Sequence, residues 1–247
     1  MIGIIGFGRF GKLMASYLGQ DFKVLIYDRL DKSLQIEKCG AVPTQLEVAC
    51  RQSVVILAVP ISGFKDTLEQ ITSFLKEDTL VVDVCSVKEL PVAWMKELLP
   101  KHISFLPTHP MFGPDSAADS LKGRKIVMCK ERIDEIRYRK IASYLSSKGL
   151  VVIETTPTEH DQQIAVSLAL THFIGRSLSD FGANTQLIDT EGYKRLLHIL
   201  EVVEHDTWQL FEDMNRYNPY AKAKRAAFLN ALNRIEDRLS SRYPNIA

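Results

Sequence analysis

The sequence has little cysteine, no long apolar run, no internal repeat and almost no net charge. Its four cysteines, Cys39, Cys50, Cys85 and Cys129, are scattered through 247 residues with no CxxC pair. That spacing excludes a disulfide framework and a cysteine-built metal site, and reads as free thiols in a reducing compartment. No stretch approaches the roughly 20 apolar residues that a membrane helix needs. The first residues run straight into an apolar stretch and then glycines, so no secretory leader is read and the expected compartment is the cytoplasm. The formal charge is +1, from 31 basic and 30 acidic side chains, which argues against a nucleic-acid partner. At 46% hydrophobic and 25% charged, with 13 glycines and 10 prolines, the composition also excludes collagen and a disordered tail. What remains is a globular chain of one large or two modest domains.

The first half has a distinct pattern. Residues 1–5, Lys23 to Tyr27, Ser53 to Val59 and Leu80 to Val84 are continuous apolar runs. Ile103 to Leu106, Lys125 to Cys129 and Val151 to Ile153 are weaker ones. Helical stretches lie between them, including Gly63 to Leu75 and Ile133 to Lys148. Buried runs alternating with helices mean βαβ units and a doubly wound, mostly parallel sheet of Rossmann type. From residue 156 onward no strand is expected. Thr158 to Asp161 (TEHD) reads as a capping box that opens a helix through about Phe181. Leu196, Leu200, Val203, Leu210 and Met214 share one face of a second long helix. Phe228, Leu232, Ile235 and Leu239 do the same for a third. The expected organisation is a dinucleotide-binding domain over 1–155 and an all-helical domain over 156–247. The apolar stripes of the second domain call for a partner surface.

Residues 6–11 read Gly6-Phe7-Gly8-Arg9-Phe10-Gly11, a GxGxxG between a strand and a helix. Gly6 allows the tight turn, Gly8 lets a pyrophosphate approach the backbone, and Gly11 lets helix and sheet pack closely. The free N–H groups and positive dipole end of the helix suit phosphates. Asp28 closes the next strand, where it could accept hydrogen bonds from an adenosine ribose. It favours NAD, while the adjacent Arg29 leaves NADP open. Charge agrees mildly with an anionic ligand, since residues 1–150 carry 21 basic and 17 acidic side chains and the rest 10 and 13.

The later strand ends carry the chemistry, because ligands of open α/β sheets sit outside the carboxyl ends of the strands. Val59-Pro60 closes one strand. Asp83-Val84-Cys85-Ser86-Val87-Lys88 closes the next. Thr108-His109-Pro110-Met111-Phe112-Gly113-Pro114 follows the weak strand after that. Ser86, Lys88 and His109 therefore converge where a nicotinamide would lie. Lys88 reads equally as an anion contact or a surface lysine.

The segments GFGRFG, DVCSVKE, THPMFGPDS, TEHD and LTHFIGR, in that order along nearly the whole chain, resemble the prephenate/arogenate dehydrogenase family. The plant arogenate enzymes are most similar, through SVKE-P and THPMFGP-S. The resemblance implies NAD(P)-dependent oxidative decarboxylation of a cyclohexadienol in tyrosine biosynthesis, with hydride passing to the nicotinamide, carbon dioxide leaving and the ring becoming aromatic. It implies that His109 is the base or polariser at the ring hydroxyl, since imidazole titrates near neutrality. Ser86 would share that hydrogen-bond network and help place the nicotinamide. His172 matches the family's helical histidine, and Arg176, one turn on, is a carboxylate partner. Gly6 to Gly11, with Asp28, Arg29, Val59, Pro60 and Ser86, would line the cofactor. His160 and Asp161 read as helix-capping and domain-contact residues rather than catalysts. No histidine pair has i,i+4 spacing, so no metal site is expected.

One departure matters. Many bacterial prephenate enzymes carry an arginine after a Gly-Phe/Tyr segment of the helical domain. Here Gly192-Tyr193-Lys194-Arg195-Leu196-Leu197-His198 puts His198 near that position, with Lys194 and Arg195 as substitutes. The choice between prephenate, slightly favoured through Asp28, and arogenate thus rests on other residues. A homodimer through the helical domain is expected. Two other readings compete. A dehydrogenase of β-hydroxy acids or pyrroline rings would rely on a helical-domain lysine and lacks the His109 tract. A non-catalytic dinucleotide-binding redox sensor would expose a basic face, for which Lys222, Lys224 and Arg225 are the one cluster.

Overall fold

The computed structural model describes residues 1–204 and 206–242, so the last residues of the expected helical domain lie outside them. The described residues form strands β1 (Ile2–Ile5), β2 (Val24–Tyr27), β3 (Val42–Pro43), β4 (Val54–Leu57), β5 (Leu80–Asp83), β6 (Ser104–Pro110), β7 (Lys125–Met128) and β8 (Val151–Glu154). Helices α1 (Arg9–Leu18), α2 (Ser33–Lys38), α3 (Leu46–Cys50), α4 (Phe64–Ile71), α5 (Glu89–Leu98) and α6 (Glu135–Ser147) alternate with them. Then come α7 (Pro157–Ile164), α8 (Thr171–Phe181), α9 (Glu191–Glu204), α10 (Trp208–Arg216) and α11 (Ala221–Arg242). The chain divides into two units, Met1–His160 and Asp161–Ala247.

The first unit is one sheet in the order β3-β2-β1-β4-β5-β6-β7-β8, parallel throughout except where β6 meets β7. The continuous apolar runs become strands with side chains buried on both faces. Ile4, Ile26, Leu57, Leu80, Val81 and Phe105 are all fully buried. Each such burial contributes about 1.5–3 kcal/mol. The strand order reverses between β1 and β4, where a dinucleotide-binding crevice forms in this architecture.

β6 differs from expectation in a way that matters for function. It does not stop at Leu106 but runs to Pro110. Ser104 to Pro107 pair with β5, while Thr108 to Pro110 pair antiparallel with β7. Pro107 sits at the change of partner, where its missing N–H costs no ladder bond and its carbonyl accepts the Cys129 N–H at 2.9 Å. His109 is therefore a strand residue opposite Val127, not part of a tract past the sheet.

The residues after β8 are helical, as expected, but differently divided. The capping box lies two residues earlier than TEHD. The Thr156 hydroxyl accepts the Glu159 N–H at 3.2 Å, and the Glu159 carboxylate accepts the Thr156 N–H at 3.3 Å. Pro157 at the first helical position suits that arrangement. α7 and α8 are joined by a π-helical segment, Ala165–Leu170. There the Ser167 and Thr171 hydroxyls back-bond to the carbonyls of Gln163 and Ser167, loosening the ladder. The stripe from Leu196 to Met214 is split between α9 and α10, with Thr207 capping α10 through the Leu210 N–H. α8 and α9 approach closely because residue 175 is glycine. A Cβ there would lie 2.7 Å from the Val203 side chain and 3.0 Å from the Ile199 carbonyl.

Candidate active site

The glycine turn follows β1. Gly6 has φ +102°, and a Cβ on it would lie 2.4 Å from the Ala58 carbonyl oxygen. A Cβ on Gly11 would lie 2.3 Å from the Gly6 carbonyl oxygen, so the helix can start only where it does with glycine at both positions. A Cβ on Gly8 would meet nothing within 4 Å. α1 starts without a capping side chain and without an acid in its first turn, leaving its N–H groups for an anion.

Asp28 is part of the turn's framework. Its carboxylate accepts the Phe7 N–H at 2.7 Å and the Leu30 N–H at 2.9 Å, and pairs with Lys32 at 3.1 Å. Partial burial pushes its pKa up, but the two backbone bonds and Lys32 outweigh this and hold it below the ordinary value of 3.8. Lys32 also donates to the Phe7 carbonyl at 3.0 Å. A hollow of about 540 Å³ opens beside these groups, lined by Tyr27, Leu30, Thr44 and Gln45 among others. Arg29 is exposed, Val59 half-buried against Gly6, and Pro60 exposed. Arg9 does not stand free for a phosphate. It is bidentate to Asp115, at 2.6 Å to each oxygen. Phe10 lies 6.2 Å from Phe112, and the Tyr17 hydroxyl donates to the Ala117 carbonyl, so the segment after β6 is clipped onto α1.

A buried polar cluster sits where β5 and β6 end. Lys88 is fully buried and bonded to Asp83, also fully buried. This corrects the reading of Lys88 as a surface lysine; the anion it contacts is the Asp83 carboxylate. The ammonium also donates to the Thr108 carbonyl at 2.5 Å, and the Thr108 hydroxyl donates to the Asp83 carbonyl at 2.7 Å. Burial raises the Asp83 pKa against the pull of Lys88. The cluster fixes the backbone immediately before His109. The His109 ring is 6% exposed, and its Nδ1 lies 2.8 Å from Nε2 of His160, itself 3% exposed. Burial first, then the neighbouring His160 and Lys88, push the His109 pKa well below 6.5, so the imidazole is neutral at pH 7. His160 is thus a partner of His109 rather than a helix cap. Ser86 follows β5 at the same sheet edge, and its buried Oγ has no hydrogen-bond partner. That orphaned hydroxyl, the open space at Gly8 and the uncapped start of α1 all fit a bound dinucleotide.

In the second unit His172 and Arg176 lie one turn apart on α8. His172 Nε2 is 3.7 Å from an Asp206 carboxylate oxygen, and Arg176 bonds the Asp206 carbonyl with its guanidinium 5.5 Å from the Trp208 ring. His172 Nδ1 and Arg176 Nε are buried without partners. Burial lowers the His172 pKa; Asp206 opposes this and Arg176 adds to it. Lys194, Arg195 and His198 are exposed on α9. Lys194 pairs with Asp189 and Glu191, and His198 with Glu201 at 3.0 Å.

Residues 18–154 match the family model for the nucleotide-binding domain of prephenate dehydrogenase. The chain belongs to the prephenate dehydrogenase family. Residues 177–246 match a model described as a TYRAAT1-like C-terminal domain. Arogenate dehydrogenase 1, chloroplastic, of Arabidopsis thaliana is 34% identical over 98% of this chain and 39% of its own length. Arogenate dehydrogenase 2, chloroplastic, of the same plant is 34% identical over 89% of this chain and 64% of its own length. The chain thus spans less than two thirds of either relative. The crystal structure of prephenate dehydrogenase from A. aeolicus in complex with hydroxyphenyl propionate and NAD+ aligns with a TM-score of 0.77 at 22% identity. That alignment covers 97% of this chain and 90% of that one, a likeness of fold.

Sequence reasoning missed the roles of Lys32, Asp83, Lys88, Asp115 and His160 in this family member. Lys32 stands four residues after Asp28, a spacing that could have signalled the pair. Nothing in the sequence joins His160 to a residue 51 positions earlier.

Proposed function

We propose that the chain oxidises and decarboxylates a cyclohexadienol, prephenate to 4-hydroxyphenylpyruvate or arogenate to tyrosine, with NAD as cofactor. The observation that carries this reading is His109. It is a neutral imidazole on the strand-end edge that also carries the glycine turn and Ser86, locked in place from behind by Lys88 and His160. Bound nicotinamide would supply the hydride acceptor. His109, through the ring nitrogen that His160 does not engage, takes the proton of the ring hydroxyl as the hydride leaves that carbon. Ser86 Oγ hydrogen-bonds the same hydroxyl or the cofactor amide. Departure of carbon dioxide makes the ring aromatic, so the protein's task is alignment and one proton transfer. The glycine turn and α1 would hold the pyrophosphate, lined by Phe7, Phe10, Val59 and Pro60 and with Arg9 available only if it leaves Asp115, and the hollow beside Asp28 and Lys32 would take the adenosine. His172 and Arg176 supply the polar groups for substrate carboxylates, with Lys194, Arg195 and His198 as second candidates.

The structure weakens the sequence ground for preferring prephenate. Asp28 is engaged by two backbone N–H groups and by Lys32, so it exerts less repulsion on a 2′-phosphate than a lone carboxylate would, and NADP stays open beside NAD. The names of the plant relatives favour arogenate as the second reading. The exposed Leu229, Leu232, Ile235 and Leu239 of α11 support a homodimer through the helical unit. No described helix is long and apolar enough to cross a membrane, and the free cysteines suit the cytoplasm.

The test is cofactor reduction with each substrate and each cofactor. Absorbance of reduced nicotinamide is expected to rise with NAD and at least one of the two cyclohexadienols. No signal in any of the four combinations would overturn the reading in favour of a redox sensor.

A further inference from the structure

We infer that His160 is a positioning residue that fixes which nitrogen of His109 carries the proton. The inference rests on His109 being the base, as proposed above. Two buried imidazoles meet through His109 Nδ1 and His160 Nε2 at 2.8 Å, with the rings inclined at 71°. A neutral imidazole has one N–H and one bare nitrogen, so one ring must donate and the other accept. The two polarities have opposite consequences for the reaction. If His160 donates, His109 carries its proton on Nε2 and has no lone pair there for a substrate hydroxyl. If His109 donates through Nδ1, its Nε2 is bare and His160 Nε2 is the acceptor. Only the second polarity makes His109 a base.

The surroundings hold His109 in its neutral form. His160 stands on α7, opposite the β6 strand that carries His109. Lys88, paired with Asp83 at the end of β5, bonds the carbonyl of Thr108, the residue before His109. Across the ladder from His109 is Val127, which brings no charge. The groups that bear on His109 are thus a second imidazole and a lysine whose partner is Asp83. In the commoner arrangement a carboxylate orients the histidine and stabilises its charged form. Here an uncharged acceptor orients the ring without favouring the imidazolium. When the substrate O–H bond breaks and an Nε2–H bond forms, the Nδ1–H stays on His109, still donated to His160. Decarboxylation leaves a phenolate oxygen, and the imidazolium, which burial and Lys88 disfavour, returns its proton to that oxygen.

The experiment combines a tautomer measurement with two variants. Nitrogen-15 NMR of the histidine-labelled chain is expected to show His109 as the Nδ1–H tautomer. His160→Leu keeps bulk but removes the acceptor. It is expected to shift His109 toward the Nε2–H form and to lower kcat by about 10- to 100-fold with unchanged KM for cofactor, in line with the mutational cost of lost ligand-orienting partners. His160→Gln, whose amide oxygen can accept, is expected to recover most of the turnover. An Nε2–H tautomer in the wild-type protein overturns the inference, as does a His160→Leu protein with wild-type kcat. The wild-type NMR result decides even if His160→Leu fails to fold. Should His109→Ala retain full turnover, the catalytic reading fails by itself, while the tautomer result still reports on the histidine pair.

Discussion

In the sheet unit Ile4, Leu57, Leu80 and Phe105 are fully buried, whereas Leu229, Leu232, Ile235 and Leu239 on α11 of the helical unit are 45 to 57% exposed. One buried cluster of the helical unit is Ala169, Met214 and Ala221, with Leu168 and Leu210 packed against it, and Ile164, Leu197 and Val203 are buried as well. Among the described residues, fewer of its large apolar side chains are buried than in the sheet unit, so the hydrophobic effect contributes less to it. The two units draw their order from different sources. The sheet unit specifies itself, down to a buried ion pair and a histidine pair under its chemical edge. The helical unit displays apolar side chains on α11, and its polar groups His172 and Arg176 keep buried nitrogens without partners.

Four experiments separate the two units. Lys88→Met leaves the Asp83 carboxylate buried without its cation, and is expected to cost about 3–5 kcal/mol in chemical denaturation. A loss below about 1 kcal/mol would mean that the cluster under His109 is not a structural unit. Phe105→Ala, in the middle of β6, is expected to cost about 3–5 kcal/mol, against less than about 0.5 kcal/mol for Leu232→Ala in dilute protein. Equal losses would remove the contrast between the units. Leu232→Ala is also expected to weaken self-association in sedimentation, and unchanged association would argue against the α11 stripe as the interface.

Each unit also holds one histidine whose pKa burial pushes below 6.5, His109 and His172. The unfolded chain takes up these protons near its ordinary pKa and the folded chain resists them. Stability is therefore full at neutral pH and above, and falls as pH drops below about 6.5 toward the lowered folded values. Thermal unfolding across that window is expected to lose part of its pH slope in His109→Gln and part in His172→Gln. A slope that neither variant alters would mean that both rings are solvated in the folded protein.

Much of the sheet unit was legible because buried parallel strands are written as unbroken apolar runs, and the glycine turn with Asp28 is local in sequence. β3 was not, because two residues ending in Pro43 carry no pattern. The extension of β6 was hidden by Pro107 and Pro110, which read as loop residues although they occupy ladder positions that need no N–H. At the start of α7, Thr156–Glu159 and Thr158–Asp161 offer competing caps, and the residues alone do not say which wins. The break between α9 and α10 lacks glycine or proline, so the apolar spacing ran through it. The pairing of His160 with His109 and the burial of Lys88 depend on tertiary contacts that no local spacing records.

The most direct measurement compares wild-type protein and His109→Ala for reduced-cofactor formation with NAD and each cyclohexadienol, alongside the cofactor Kd of both proteins. With His109 as the base, kcat is expected to fall by about 10²- to 10⁴-fold while the cofactor Kd is unchanged. Turnover at the wild-type rate, or an equal loss of turnover and cofactor binding, would contradict it.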